Sequence, residues 1–285
     1  MKKITDLPKL AVRAADSHKG DFGKVLIVAG STGMSGAAAI AAKSALRSGA
    51  GLVNLAISKS ILPIVAAVEP SYTTAALAED RSGKICAKAL RDILNLAAQS
   101  DAAAFGPGIG KSNALQSIIL ALIAQKNLRL VIDADGLNNL AKDPTWPDRK
   151  NASLTLTPHP GEFKRLWSGL IREQMPDDRT ARATALAKKT GCTVVLKGAA
   201  TVVAESNRVY VNTTGNAGMA TAGAGDVLTG VITALAGQGL SDFDAAVLGV
   251  YLHGLAGDIA AEKFGQTSLI ATDIIAALPE AFKKL

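Results

Sequence analysis

One carboxylate, Asp226, stands where a nearly bare stretch of backbone turns into a helix. The stretch runs Asn216-Ala217-Gly218-Met219-Ala220-Thr221-Ala222-Gly223-Ala224-Gly225-Asp226-Val227-Leu228 and holds three glycines and four alanines. Val227, Leu228, Val231, Ile232 and Leu235 then recur at helical spacing until Gly237 and Gly239 end the run. Backbone N–H groups at a helix start lack partners, and the helix dipole adds positive potential there. Such a junction holds anions, phosphate above all. Asp226 is then either a helix cap, a task Asp does well, or a working group beside a phosphate.

Other clusters could join it. Lys197-Gly198-Ala199-Ala200-Thr201 puts a cation, a glycine and a hydroxyl at a strand end, equipment suited to phosphate oxygens. A Lys-Gly turn opening a hairpin fits the same residues. Thr157-Pro158-His159-Pro160-Gly161-Glu162 sets an imidazole between two prolines, which fix the backbone around it. His159 so framed is a good ligand contact, whereas His18 and His253 lack such framing. Glu162 falls at a helix start, as a capping residue or as part of a Mg²⁺–phosphate network.

Asp133-Ala134-Asp135-Gly136-Leu137-Asn138 supplies two carboxylates and an amide at another strand end. Side chains two apart on an extended segment share a face. A turn with Asx caps is the plain alternative. The expectation is a mixed role, with one or two of these groups shaping the site through hydrogen bonds or metal-bound water. Gly106-Pro107-Gly108-Ile109-Gly110-Lys111-Ser112 approximates a P-loop but carries Phe105 where that motif needs glycine. Gly30, Gly33 and Gly36 are spaced evenly by three, which is not the dinucleotide fingerprint. No His, Cys, Asp or Glu spacing makes a dedicated zinc site.

These clusters need elements to hold them. Residues 25–30 form an apolar run ended by glycine, the pattern of a buried parallel strand. The patterning predicts further strands over 52–57, 102–105, 128–132, 153–157 and 193–196. It predicts helices over 37–48, 85–97, 115–124, 245–264 and 273–282. Strand and helix alternate, so the expected fold is α/β, a mostly parallel central sheet with helices on both faces. Residues 201–205 and 208–211 alternate around Ser206-Asn207, a hairpin signal that adds an antiparallel edge. Each polar or glycine-rich cluster follows a strand, so six segments are expected to converge on one crevice at the carboxyl edge.

Composition narrows the ligand. The 285 residues carry a net charge of +7 with no block of like charge, which suits anionic small molecules better than a nucleic-acid groove. Aromatics are only 4%, too few for stacked-base recognition. Cys86 and Cys192 show no metal or redox spacing, as expected of thiols in a reducing cytoplasm. The amino terminus lacks the apolar core of a signal peptide, and the longest uncharged run, 25–42, is broken by glycines; no membrane span is expected.

Gly223-Ala224-Gly225-Asp226 resembles the G-x-G-D signature of the ribokinase-like superfamily, and Thr157-Pro158-His159-x-x-Glu162 resembles its T-P-N-x-x-E segment, with His in place of Asn. More narrowly, the chain resembles the ADP-dependent NAD(P)H-hydrate dehydratases. His18-Lys19-Gly20-Asp21-Phe22-Gly23, Gly36-Ala37-Ala38, the segment 45–52, Gly106-Pro107-Gly108, the segment 133–138, Val195-Leu196-Lys197-Gly198 and the two motifs above carry the likeness in order. The resemblance implies a ribokinase-like three-layer α/β/α fold in one domain over 1–285, without the epimerase domain fused to some members. It implies transfer of a phosphoryl group from ADP, with Mg²⁺, to the C6 hydroxyl of NADH hydrate or NADPH hydrate. AMP leaves, and loss of phosphate restores the ring. Lys197, Gly198, Ala199, Ala200, Thr201 and Gly225 are then expected to hold ADP or AMP. Ala37, Gly108, His159 and Asp226 are expected to hold the hydrate, with Asp226 as base and Asn138 and Glu162 in support. A helix start should keep Asp226 ionised and weakly basic. A cytoplasmic homo-oligomer, a tetramer by the resemblance, is expected. A small-molecule hydroxyl kinase of the same superfamily and a non-catalytic nucleotide sensor are the rival readings.

Overall fold

The computed structural model describes residues 1–285. In chain order the elements are β1 (Lys2–Lys3), β2 (Lys24–Val28), α1 (Ser35–Arg47), β3 (Leu52–Ser58), α2 (Leu62–Ala66), β4 (Thr73–Leu77), α3 (Leu90–Ala98), β5 (Ala102–Phe105), α4 (Asn113–Ile123), β6 (Arg129–Ile132) and α5 (Ala134–Leu140). They continue with β7 (Ser153–Leu156), α6 (Pro160–Leu170), α7 (Arg179–Thr190), β8 (Thr193–Leu196), β9 (Val202–Ala204), β10 (Arg208–Val211), α8 (Ala224–Gly237), α9 (Asp242–Phe264) and α10 (Ala271–Lys283). All ten strands join one sheet, ordered β1-β10-β9-β8-β7-β6-β5-β2-β3-β4. Only β8–β9 and β9–β10 pair antiparallel, so the expected hairpin forms the antiparallel edge of the sheet, and the two-residue β1 pairs parallel to its outer strand.

Successive side chains of a strand face opposite ways, and both faces here are dry. Val25 and Ile27 of β2 enter a core shared with α1, α8, α9 and α10. Leu26 and Val28 enter a second core with α3, α4 and α7. Burial on both faces is why the inner strands read as continuous apolar runs. The result is three layers, α/β/α. Helix α9 is long and apolar enough to cross a membrane by composition, but 67% of its apolar window is buried within the fold.

Several elements differ from the sequence pattern. Residues 85–97 are not one helix: Ile85 bridges Glu79, a 3₁₀ turn covers Ala87–Ala89, and α3 starts at Leu90. Residues after Asp133, for which a turn with Asx caps is the plain alternative, form the helix α5. Gly136 lets this helix press on β5, since a Cβ there would sit 2.5 Å from the Phe105 oxygen. Strand β4, Thr-Thr-Ala-Ala-Leu at a sheet edge, lacks an apolar run because only Leu77 is buried. Helix α7 lies outside the helices that the patterning predicts, yet both its ends are punctuated: Asp178 caps the Ala181 N–H at 2.7 Å, and Gly191 ends it in the left-handed region.

Helix α8, which carries Asp226, is clamped between α1, α9 and the sheet. Gly230 allows its contact with α1; a Cβ there would lie 2.1 Å from the Ala41 oxygen. A backbone oxygen cannot swing aside, so overpacking by Gly230→Ala should cost the upper end of about 1–3 kcal/mol, more than the roughly 1 kcal/mol gained from alanine's helix preference. A lowered urea midpoint with unchanged slope is the expected result.

Candidate active site

Strands β6, β7 and β8 are neighbours in the sheet, so their carboxyl ends bring Asp133, His159 and Lys197 to one place. The Lys197 Nζ donates to Asp133 Oδ1 at 2.6 Å. Asp133 is 1% exposed, and its other oxygen, Oδ2, accepts from Thr229 Oγ1 of α8 at 2.7 Å. The lysine lies across the first turn of α8. Gly225 makes room for it, because a Cβ there would be 3.3 Å from Nζ.

Asp226 does not cap the helix. Gly223 holds the N-cap position at φ 87°, and no side chain bonds there. The carboxylate instead faces a cavity of about 870 Å³, together with Lys197 and Glu162. Its ionisation also departs from expectation. Burial, then the charge of Asp133, then Glu162 push it up to about 7 against the pull of Lys197. The dipole of α8 does not keep it a weak base.

Glu162 is pushed up to about 7 as well, by burial first and by Asp133. Its Oε2 accepts from the His159 N–H at 2.9 Å, which closes the start of α6. The capping role expected of it is therefore observed. Lys197 is pulled down by burial, but Asp133, Glu162 and Asp226 together raise it above the usual lysine range. One ammonium thus faces three carboxylates, which cannot all stay ionised. The His159 imidazole is lowered by burial and by the charges of Lys197 and Arg165, so it is neutral. Its Nδ1 accepts from Gly161 N–H at 2.9 Å, which leaves the proton to Nε2, 3.2 Å from Glu162 Oε1.

Of the residues singled out from sequence, Lys197, Gly198, Ala199, Ala200, Thr201, Gly225, Asp226, His159 and Glu162 all line this cavity. Ala37 and Gly108 do not. They meet each other beside it, with a Gly108 Cβ position 2.9 Å from the Ala37 Cβ and Ser31 Oγ bonded to Gly108 O at 2.7 Å. Four of the six segments therefore share the cavity, and the two after Gly30 and Phe105 form a floor next to it. That floor joins the cluster where Gly106 abuts the Asp133 oxygen. Asn138 is turned away, bonded to Asp135 at 3.1 Å and to Arg165 at 3.0 Å.

Three contributors carried no sequence signal. Thr229 is one, 96 residues from the Asp133 it bonds. His253 of α9 is another; it lines the cavity, with burial pushing it down to about 4. The third is the segment 212–215, which forms a wall together with residues 216–220 of the glycine-rich stretch. Asp258 of α9 pins that wall through Gly215 N–H at 2.8 Å and Asn216 Nδ2 at 2.9 Å. No three His, Cys, Asp or Glu side chains are grouped to hold a metal ion.

The raised carboxyls carry a stability consequence. Unfolded, Asp226 and Glu162 titrate near 3.8 and 4.5; folded, each does so at about 7. The folded state therefore binds more protons between these limits, and stability falls as pH rises through that window. Asp226→Asn removes one of the two groups. Its melting temperature should fall less than the wild type's between about pH 5 and about pH 8, and should exceed the wild type's at the higher pH. An unchanged slope would mean that Asp226 is ionised throughout.

Comparison with known proteins agrees with this geometry. Residues 25–280 match the family model described as NAD(P)H-hydrate dehydratase. The chain is 39% identical to the ADP-dependent (S)-NAD(P)H-hydrate dehydratase of Neisseria meningitidis, covering 93% of this chain and 86% of that protein. It is 42% identical to the bifunctional NAD(P)H-hydrate repair enzyme of Moorella thermoacetica over 97% of this chain, and spans about half, 52%, of that longer protein. The crystal structure of the ADP/ATP-dependent NAD(P)H-hydrate dehydratase of Bacillus subtilis, co-crystallised with ATP/Mg²⁺, superposes at TM-score 0.81, with 30% identity and coverage of 96% and 94%. The expected ribokinase-like architecture is met. The match over residues 25–280 and the identity to the dehydratase of Neisseria meningitidis show that the chain belongs to the NAD(P)H-hydrate dehydratase family.

Proposed function

We propose that this protein dehydrates the S epimer of NADH hydrate or NADPH hydrate with ADP as phosphoryl donor, yielding AMP, phosphate and the restored dihydronicotinamide. The observation that carries this reading is Asp226, a carboxyl raised to about 7 beside the bare start of α8 and facing Lys197. A base matched to the working pH is the most effective one. The segment from Lys197 to Thr201 and Gly225 hold the nucleotide, and the N–H groups of α8 receive the transferring phosphate. His159, Ala37, Gly108 and Asp226 hold the hydrate.

Asp226 takes the proton of the C6 hydroxyl as that oxygen bonds to the β-phosphorus of ADP and the bond to AMP breaks. The ring nitrogen's lone pair then expels phosphate, and the departing phosphate takes a C5 proton as the C5–C6 double bond re-forms. Hydroxide is a poor leaving group and phosphate a good one, which explains a kinase-like site serving an elimination. Phosphoryl transfer needs positioning and charge stabilisation more than covalent help. The chain has no all-protein metal cage. Its cavity-facing carboxyl groups suit a Mg²⁺ that would arrive on the nucleotide and would neutralise phosphate oxygens there. Asp226 and Glu162 are the groups that would face it.

A hydroxyl kinase would share the anion loop and Lys197 but release a stable phosphate ester. A sensor would bind nucleotide without turnover. Incubation with NADH hydrate and either ADP or ATP, followed by absorbance of the dihydronicotinamide, separates the three. Recovery of absorbance, faster with ADP, is expected; equal or faster turnover with ATP at matched Mg²⁺ would remove the ADP assignment. Asp226→Asn should lower kcat by about 10²–10⁴-fold while ADP binding persists or tightens. Activity within a few-fold of wild type would exclude Asp226 as the base. His159→Ala removes an imidazole held rigid at the cavity wall, so KM for the hydrate should rise about tenfold with kcat nearly kept. A collapse of kcat at constant KM would instead assign His159 to proton transfer.

A further inference from the structure

Arg179 opens α7, the helix that passes behind the segment 197–201. Its Nη2 donates to two successive carbonyls at the root of that segment, Leu196 O at 3.0 Å and Lys197 O at 3.1 Å. Its Nη1 lies 2.8 Å from where a Gly198 Cβ would be, and Gly198 adopts φ 136°. The loop backbone therefore rests on the guanidinium, one glycine thick between it and the cavity.

Two features make this placement costly for the protein alone. Arg179 makes no ion pair; its charged neighbour is another cation, Arg182, which pairs with Asp177. Its Nε is sealed from solvent with no hydrogen-bond partner. Burial first, then the Arg182 charge, lower its affinity for its proton. A cation in the first turn of a helix also sits at the unfavourable end of the dipole. A cation without a counter-charge is stabilised when a ligand brings negative charge near it. The carboxylates of the site do not fill that role, since Lys197 lies among them.

We propose that Arg179 is a positioning residue for a nucleoside diphosphate. It pins the carbonyls of residues 196 and 197 so that the following loop faces the cavity, and its unpaired charge is completed through the loop by the ligand's phosphates. This rests on the reading of residues 197–201 as the nucleotide segment. The substrate hydrate, held at His159 and on the Ala37–Gly108 floor, is not addressed by Arg179.

The test is calorimetric ADP binding plus steady-state kinetics for wild type, Arg179→Gln and Arg179→Lys, with melting temperatures. If the wild type does not bind ADP, the nucleotide reading of the segment falls, and this inference with it. If it binds, loss of hydrogen bonds from a charged donor should raise Kd and KM for ADP about tenfold or more in Arg179→Gln. Arg179→Lys, which keeps the charge but loses the fork, should fall between. The KM for the hydrate should stay at the wild-type value, and kcat at saturating ADP should stay within about threefold. Wild-type ADP affinity in Arg179→Gln, or parallel increases in both KM values, overturns the proposal; the second result marks a general collapse of the site. Should Arg179→Gln fail to fold, Arg179→Lys decides alone. A several-fold loss of ADP affinity at constant hydrate KM supports the proposal, and unchanged affinity rejects it.

Discussion

The site depends on the ion pair between Lys197 and Asp133. At 2.6 Å, with Asp133 1% exposed, it is a buried pair, and its desolvation cost is offset only if the remaining oxygen is also satisfied. Thr229 supplies that bond from α8. One carboxylate thereby ties the ends of β6 and β8 to the helix that carries Asp226. Because Asp133 claims the ammonium, Asp226 and Glu162 are left short of positive charge in a dry place, and both carboxyls rise to about 7. The chemistry of the cavity thus follows from how one lysine is shared.

Small residues make that sharing geometrically feasible. Gly225 lets the lysine cross the start of α8, Gly230 lets α8 close on α1, and Gly136 lets α5 press against β5. Each removes a Cβ that would stand within about van der Waals distance of a neighbouring atom. The abundance of Ala and Gly, which in the sequence looks like low information, is what allows α1, α5 and α8 to pack so closely on one another and on the sheet.

The parallel sheet and the cavity-lining residues 197–201 were legible because buried strands write continuous apolar runs, and because their loops carry glycine and charge. The strands predicted over 102–105 and 193–196 match β5 and β8. Asp226 was legible as a position, but not as a raised acid. Its ionisation is set by burial and by Asp133, 93 residues earlier, and neither leaves a local mark. Thr229, His253 and the wall residues 212–215 were hidden for the same reason, since their roles arise from α8 and α9 meeting in space. Strand β4 was hidden by its place at an edge, where a half-exposed Thr-Thr-Ala-Ala needs no apolar run.

His159 illustrates how the fold treats a single contact. Prolines stand on both sides of it, its Nδ1 accepts from Gly161, and its Nε2 faces Glu162, yet the side chain remains 51% exposed. Most rotamer-rich side chains surrender about 0.5–1.5 kcal/mol of conformational freedom when a ligand immobilises them. Here that loss has already been taken in folding, so a ligand meets an imidazole whose direction is fixed beforehand. An imidazole held this way is preorganised: a ligand that met it would be selected by shape, with few alternative poses, rather than accommodated by movement of the side chain.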